Sequence, residues 1–275
     1  MAVEFVQSLE DPRIAVYRDL PRSNLTRPSG LFIAEGWLVV ERLLLSRFAI
    51  ESVLLDEKFV DELLPRFAPE TRVFIVPHEL MNAVVGFKFH RGVLACGRRA
   101  DGLGWSEVIA AARPTLTIVV AADVNDPENM GCILRNSAAF GVDLVLASSR
   151  CADPFSRRVL RTSMGTVFQL PLMISHNLAA DVARLQQEFG VEFAATTLDA
   201  AAEPLYDAAR PDRFALVFGN EGHGIPAEVQ ASCRRAVTLP MHGGTDSLNV
   251  GVASGIFLYH FTRLQSLQSQ PEDIP

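Results

Sequence analysis

The stretch "LTIVVAADVNDPENMGCILRNSAAFG", Leu116 to Gly141, decides the fold. Its first part is an apolar run without polar alternation, the texture of a strand covered on both faces. Its last part places Ile133, Leu134, Ser137, Ala138 and Phe140 on one arc of a helical wheel and leaves Arg135 outside it. Strand, polar loop and helix in that order are the start of a parallel layer.

The same texture continues downstream. "VDLVLAS", "VEFAATTL" and "RFALVFGN" read as strands of this kind. "FSRRVLRTSMG", "LAADVARLQQEFG" and "PAEVQASCRR" read as the helices between them. The region is therefore an α/β domain, and its ligands belong at the carboxyl ends of its strands. Upstream, the first hundred residues also alternate. "GLFIAEG", "IESVLLDE", "RVFIVP" and "RGVLACGRR" read as strands; "DPRIAVYRDL", "WLVVERLLLSR", "KFVDELLPRF" and "HELMNAV" read as helices. Between the halves, "GRRADGLGWSEVIAAARP" is rich in Gly, Arg and Ala and ends in Pro114, the composition of a linker with a short helix inside. The expected division is residues 1–100, a linker at 101–114, and 115–275.

Bulk properties narrow the class. The chain has 275 residues, 49% hydrophobic and 21% charged, which is enough for two soluble domains. No apolar run reaches 18 residues, so no transmembrane helix is expected. "MAVEFVQSLEDPR" lacks a basic-then-apolar signal layout, and the four scattered cysteines (Cys96, Cys132, Cys151, Cys233) form no CxxC pair. Reduced thiols in a cytoplasm fit this usage. The net charge of −7 argues mildly against nucleic acid, although a local basic patch on an acidic protein still binds phosphate.

Three loops after strands carry the chemistry. In "DVNDPENMGCILRNSAAFG", Asn129 is positioned to cap the helix and Gly131 permits close backbone approach. Alone, this stretch reads first as a capped helix with a solvated arginine. "FGNEGHGIP", Phe218 to Pro226, exposes backbone amides after an apolar strand and lacks the dinucleotide pattern GxGxxG. In "LPMHGGTDSLNVGVASGIFLYH", Leu239 to His260, a strand-like end enters a polar loop. An uncharged helix follows; Ser247 or Asp246 is its expected cap and Asn249 lies in its first turn. With no charge from Val250 to Leu258, that helix is expected to be buried on nearly every side, and its small residues Gly251, Ala253, Ser254 and Gly255 admit a close neighbour.

Together these loops resemble the three motifs of the SpoU family of RNA ribose methyltransferases, in the SPOUT superfamily. "RTSMGTVFQLP", Arg161 to Pro171, is similar to a further family segment. "LFIAEGWLVVERLL" and "MNAVVGFKFHRGVLACGRR" resemble the small substrate-binding domain of many members. The resemblance implies a C-terminal parallel-sheet domain with a deep trefoil knot and a small N-terminal α/β domain like a ribosomal RNA-binding protein. It also implies S-adenosylmethionine in the knot, a homodimer with the active site near the subunit interface, and methyl transfer to a ribose 2′-hydroxyl of RNA. By position, Thr196, Gly219, Leu239, Met241 and Leu248 match cofactor contacts. Asn129, Arg135, Glu221, Ser247 and Asn249 match the polar constellation.

That hydroxyl is a poor nucleophile, so its proton must be polarised or removed during in-line attack. Arginine stays protonated, which makes Arg135 a clamp on phosphate and hydroxyl in preference to a literal base, with Glu221 and Asn129 placed to orient it. No metal is called for, since the histidines form no HxxxH pair. Expected RNA contacts are Arg22, Arg27, Lys88, His90 and Arg91 in the first domain, and Arg157, Arg158 and Arg161 in the second. Ribosomal RNA is the expected substrate, with transfer RNA as the alternative. A SPOUT-like protein that only grips RNA is a further alternative, against which the intact polar residues weigh. A Rossmann oxidoreductase would need GxGxxG after its first strand, where this chain has "DVNDPENMG".

Overall fold

A computed structural model of the chain describes residues 2–18, 20, 29–86, 88–100, 105, 107, 115–242 and 247–269, with side chains as far as 262 in the last helix. Strand β1 (Ala2–Phe5) is followed by β2 (Leu31–Glu35), α1 (Trp37–Leu44), β3 (Ile50–Asp56), α2 (Val60–Leu63), β4 (Arg72–Val76), α3 (His78–Val85) and β5 (Val93–Arg98). Next come β6 (Leu116–Ala121), α4 (Pro127–Ala139), β7 (Leu144–Ser148), α5 (Arg157–Thr162), β8 (Leu172–Ser175) and α6 (Leu178–Phe189). The chain ends with β9 (Glu192–Thr197), β10 (Glu203–Pro204), β11 (Arg213–Phe218), α7 (Ala227–Gln230), β12 (Arg235–Thr238) and α8 (Val250–Ser269).

The residues fall into two compact units. The first is Met1–Asp101 with Asp153–Phe168; the second is Gly102–Ala152 with Gln169–Pro275. The first unit holds a five-stranded mixed sheet in the order β1-β4-β3-β5-β2. One of its cores gathers Ile14, Tyr17, Ile33, Leu54, Phe74, Met81 and Phe89. The expected helix "DPRIAVYRDL" is a short 3-10 helix, Pro12–Tyr17, opened by Asp11, whose carboxylate accepts from Arg13 N–H.

The segment Asp153–Phe168 packs into this first unit although it lies between β7 and β8 in sequence. Phe155 and Phe168 stand against Phe32, with ring centroids 5.2 and 5.4 Å away. Arg157 donates to the buried Glu35 carboxylate at 2.7 Å, Arg99 holds Asp153, and Arg42 donates to the carbonyl of Met164.

The second unit is a seven-stranded sheet, all parallel, in the order β10-β12-β9-β11-β6-β7-β8. Alternate residues of its central strands, among them Ile118, Val120, Leu146, Phe193 and Val217, form one core with Leu178, Val182 and Leu185 of α6. On α8, Phe261 packs on Phe214 at 4.7 Å and Phe257 on Phe218 at 6.0 Å between ring centroids. Helices on both faces explain why these strands lack polar alternation. The central pair β6 and β11 are neighbours although far apart in sequence. Such a switch in strand order opens a crevice at the carboxyl ends. Strands β1, β8 and β10 went unpredicted: each has four residues or fewer, and each lies at a sheet edge. The proposed linker at 101–114 lies outside the described residues, except Trp105 and Glu107, which are helical.

Candidate active site

After β6 the chain enters α4 through Asp126, whose Oδ1 accepts from the backbone N–H of Glu128 at 2.8 Å and of Asn129 at 2.9 Å. Pro127 takes the first helical position, where no N–H is needed. The cap is therefore Asp126 and not Asn129. Asn129 sits buried in the first turn, and its amide reaches other loops. Its Nδ2 donates to Glu221 Oε1, and its Oδ1 accepts from Asn249 Nδ2 at 2.7 Å. One side chain thus joins the three loops that the sequence singled out.

The turn after β11 closes on itself. Asn220 and Gly224 exchange backbone hydrogen bonds at 3.0 and 2.9 Å, and Asn220 Oδ1 accepts from the N–H groups of Gly222 and His223. A side chain on Gly219 would meet the backbone of Gly224 and lie 2.5 Å from the nitrogen of Ile225. Only glycine fits there. Glu221 stands exposed at the tip of this turn.

At the third loop Asn249 is the cap of α8, its Oδ1 accepting from Gly251 N at 2.9 Å and Val252 N at 3.2 Å. Ser247 does not fill that role, and Asp246 lies outside the described residues. The small residues of α8 do admit a close neighbour. A Cβ on Gly251 would lie 2.6 Å from the Cβ of Cys132. Asn136 donates to Gly251 O at 2.8 Å and to Ser254 Oγ at 2.9 Å. The helix is not buried on every side, however. Val252, Ile256 and Tyr259 form an exposed apolar stripe at 55%, 38% and 48% exposure. Phe140 at the end of α4 touches Tyr259 at the edge of that stripe.

Between the second and third loops and the end of β9 lies a cavity of 470 Å³, within the range of small-molecule sites; Asn129 is not among the residues lining it. All five residues matched to cofactor contacts line it: Thr196, Gly219, Leu239, Met241 and Leu248. Glu221, Ser247 and Asn249 line it as well. Leu198, Ile225 and Phe257, which the sequence reading did not single out, complete its apolar wall. Thr196 directs its hydroxyl to Val217 O at 2.8 Å, so its polar group ties β9 to β11. The lining suits a ligand with a flat apolar ring and a polar end, held against backbone.

Arg135 is not in that wall. It is exposed on α4, and among the described residues it has no hydrogen-bond or ion-pair partner. Glu221 and Asn129 hold each other and do not hold Arg135, because Asn129 lies on the α8-facing side of α4 and Arg135 does not. Burial raises the pKa of the Cys132 thiol near Arg135, and the guanidinium opposes that shift.

The proposed RNA contacts divide. Arg22 and Arg27 lie outside the described residues. Phe89 is buried with its N–H on Asn82 Oδ1 at 2.6 Å, and its neighbours Lys88 and His90 are exposed. Arg91 is half-exposed and 3.9 Å from Glu35. Arg157 is engaged with the same acid, whereas Arg158 and Arg161 are exposed. Asn136 and Asn220 went unnoticed in the sequence. An asparagine amid small and apolar helix residues is the signal that marks the first, since its amide needs a partner when the helix packs.

The SpoU rRNA Methylase family model matches residues 116–259. An "Uncharacterized tRNA/rRNA methyltransferase" of Mycobacterium bovis is 36% identical over 95% of this chain and 92% of its own length. The Bacillus subtilis 23S rRNA (guanosine(2553)-2′-O)-methyltransferase RlmP is 28% identical over 93% of this chain and 98% of its own. The crystal structure of an AdoMet-bound rRNA methyltransferase from Sinorhizobium meliloti superposes with a TM-score of 0.79 at 26% identity, covering 94% of this chain and 97% of that one.

Proposed function

The chain belongs to the SpoU rRNA methylase family, and from that premise we propose that it methylates a ribose 2′-hydroxyl of structured ribosomal RNA with S-adenosylmethionine as donor. Relatives named for that reaction on 23S rRNA, and a similar structure with the cofactor bound, support the reading. The observation that carries it in this chain is the hydrogen-bonded run Glu221–Asn129–Asn249, whose two ends line the 470 Å³ cavity.

When bound, S-adenosylmethionine supplies an electrophilic methyl group on a sulfonium. The turn Gly219–Gly224 and the residues Leu239, Met241 and Leu248 would hold it. Asn129 and Asn249 tie the first loop to the third, and Ser247 lines the cavity beside Asn249. Glu221 keeps one carboxylate oxygen on Asn129 and has the other for the substrate. Arg135 has donors to clamp the phosphate and hydroxyl, which lowers the cost of charge developing on the oxygen.

The rest of the reading extends this core. The first hundred residues act as the RNA-binding domain, 101–114 as linker and 115–275 as the methyltransferase domain, with the segment around the third loop tucked into a trefoil knot. The protein works in the cytoplasm as a homodimer. The stripe Val252–Ile256–Tyr259 supports that assembly, since an uncovered apolar helix face calls for a partner and closed two-fold pairs are the commonest solution. A second copy seated there would also lie beside α4, whose end touches the stripe through Phe140 and which carries Arg135. Ile256→Glu is expected to give a monomer by light scattering and to abolish turnover; a fully active monomer would contradict the assembly.

The functional test is transfer of tritium from labelled S-adenosylmethionine to deproteinised ribosomal RNA. Label is expected in a 2′-O-methylnucleoside after nuclease digestion. Label in a base would refute the ribose assignment, and label only in transfer RNA would refute the ribosomal one.

A further inference from the structure

A second cavity, of 340 Å³, lies beside the first, and Asp123, Asn125, Arg150, Asn220, His223 and Pro226 line it. Asn220, His223 and Gly224 line both cavities, so a single turn separates them. Its other walls come from the ends of β6 and β7, the edge of the sheet where ligands gather.

The backbone here is strained and held. Asp123 has φ 62°, a conformation that non-glycine residues rarely adopt. Three contacts fix it: its N–H donates to Ser148 Oγ at 3.1 Å, its Oδ1 accepts from that hydroxyl at 2.7 Å, and its carbonyl accepts from Asn220 Nδ2 at 3.0 Å. Strain that its surroundings over-determine is characteristic of ligand clamps. Its effect here is to aim the carboxylate at Arg150, 2.6 Å from Oδ2. The arginine side chain is still 68% exposed. A guanidinium is a planar fork, so anchoring one edge gives the remaining N–H groups a fixed direction. His223 lies 3.2 Å through Nδ1 from Asn220 Oδ1, and its other ring nitrogen is left for a ligand.

We propose that this cavity takes a phosphodiester of the RNA beside the methylated nucleotide, held by Arg150 and His223. Asp123 offsets part of the arginine charge, which suits a singly charged diester better than a doubly charged terminal phosphate. The shared turn links this grip to Glu221 across the wall. The inference rests on the reading of the protein as an RNA methyltransferase.

The test measures methylation and binding of deproteinised ribosomal RNA by the full chain. Arg150→Ala and His223→Ala are each expected to raise KM for RNA about tenfold. Loss of a phosphate contact is also expected to reduce the slope of log affinity against log salt by about one unit for Arg150→Ala. Arg150→Lys keeps the slope and recovers only part of the affinity. Affinity for S-adenosylhomocysteine stays unchanged by calorimetry in both Arg150 variants, since Arg150 lines only the second cavity, whereas His223 lines both. Unchanged KM and slope in both alanine variants would overturn the proposal. So would an equal loss of S-adenosylhomocysteine affinity in Arg150→Ala, which would make this cavity the back wall of the cofactor site. Wild-type protein that binds no RNA would overturn the functional reading itself, and this inference with it.

Discussion

Glu35 and Glu221 each join segments far apart in the chain, and they do so under opposite conditions. Glu35 is 5% exposed at the end of β2 and takes Arg157 at 2.7 Å, with Arg91 nearby. Glu221 stands exposed on a turn and takes the neutral amide of Asn129. In the first unit, cation and anion neutralise each other inside the fold, and the pair fastens Asp153–Phe168 to the sheet. In the second unit no cation among the described residues closes the run, so Glu221 keeps a carboxylate oxygen and Arg135 keeps its donors. Polar residues near a strand end are therefore a site only where the fold leaves them something to bind.

Substitutions should separate the two regions. The largest effect is expected at Arg135. If it is a bidentate clamp, Arg135→Lys and Arg135→Ala both lower single-turnover methylation by about a hundredfold, with cofactor affinity unchanged. Near-normal turnover in the lysine variant would mean that charge alone suffices. Next is Arg157→Ala, which leaves a buried carboxylate short of its partner and should cost about 2 kcal/mol of stability in denaturant unfolding, less than a fully enclosed pair because the arginine is partly exposed. If its stability is unchanged while RNA binding falls, the residue belongs with the RNA contacts instead. The smallest expected effect is at Gly219. Gly219→Val must displace the backbone of Gly224 and Ile225, and calorimetry should show S-adenosylhomocysteine affinity reduced by about tenfold, in line with the strain of forcing a side chain into a closed turn. Wild-type affinity would remove the turn from the cofactor site.

Much of this was legible in the sequence, for physical reasons that also set the limits. Strands β6, β7, β9 and β11 are covered on both faces, so their apolar runs stand out. β8 is short and on an edge, with Ile174 40% exposed, and it offers no such run. The loops announced themselves through Gly and Asn at strand ends. Which asparagine caps and which reaches across was hidden. Capping is a local rule, and it nominated Asn129 and Ser247; the observed partners Asn129 and Asn249 are 120 positions apart. The exposed stripe on α8 was hidden for a related reason. An uncharged helix looks the same whether its own chain or a second copy covers it. Arg157 read as an RNA contact because its acid, Glu35, is 122 positions away.

The central claim is that the polar run through Asn129 assembles a methyl-transfer site and does not merely hold the fold. Asn129→Ala tests it most directly, measured by single-turnover transfer of labelled methyl to ribosomal RNA at saturating cofactor, beside denaturant unfolding of the same preparation. The account predicts a rate lower by about a hundredfold, from lost positioning of Glu221 and Asn249, while the variant remains folded. A wild-type rate in a folded Asn129→Ala protein would contradict it.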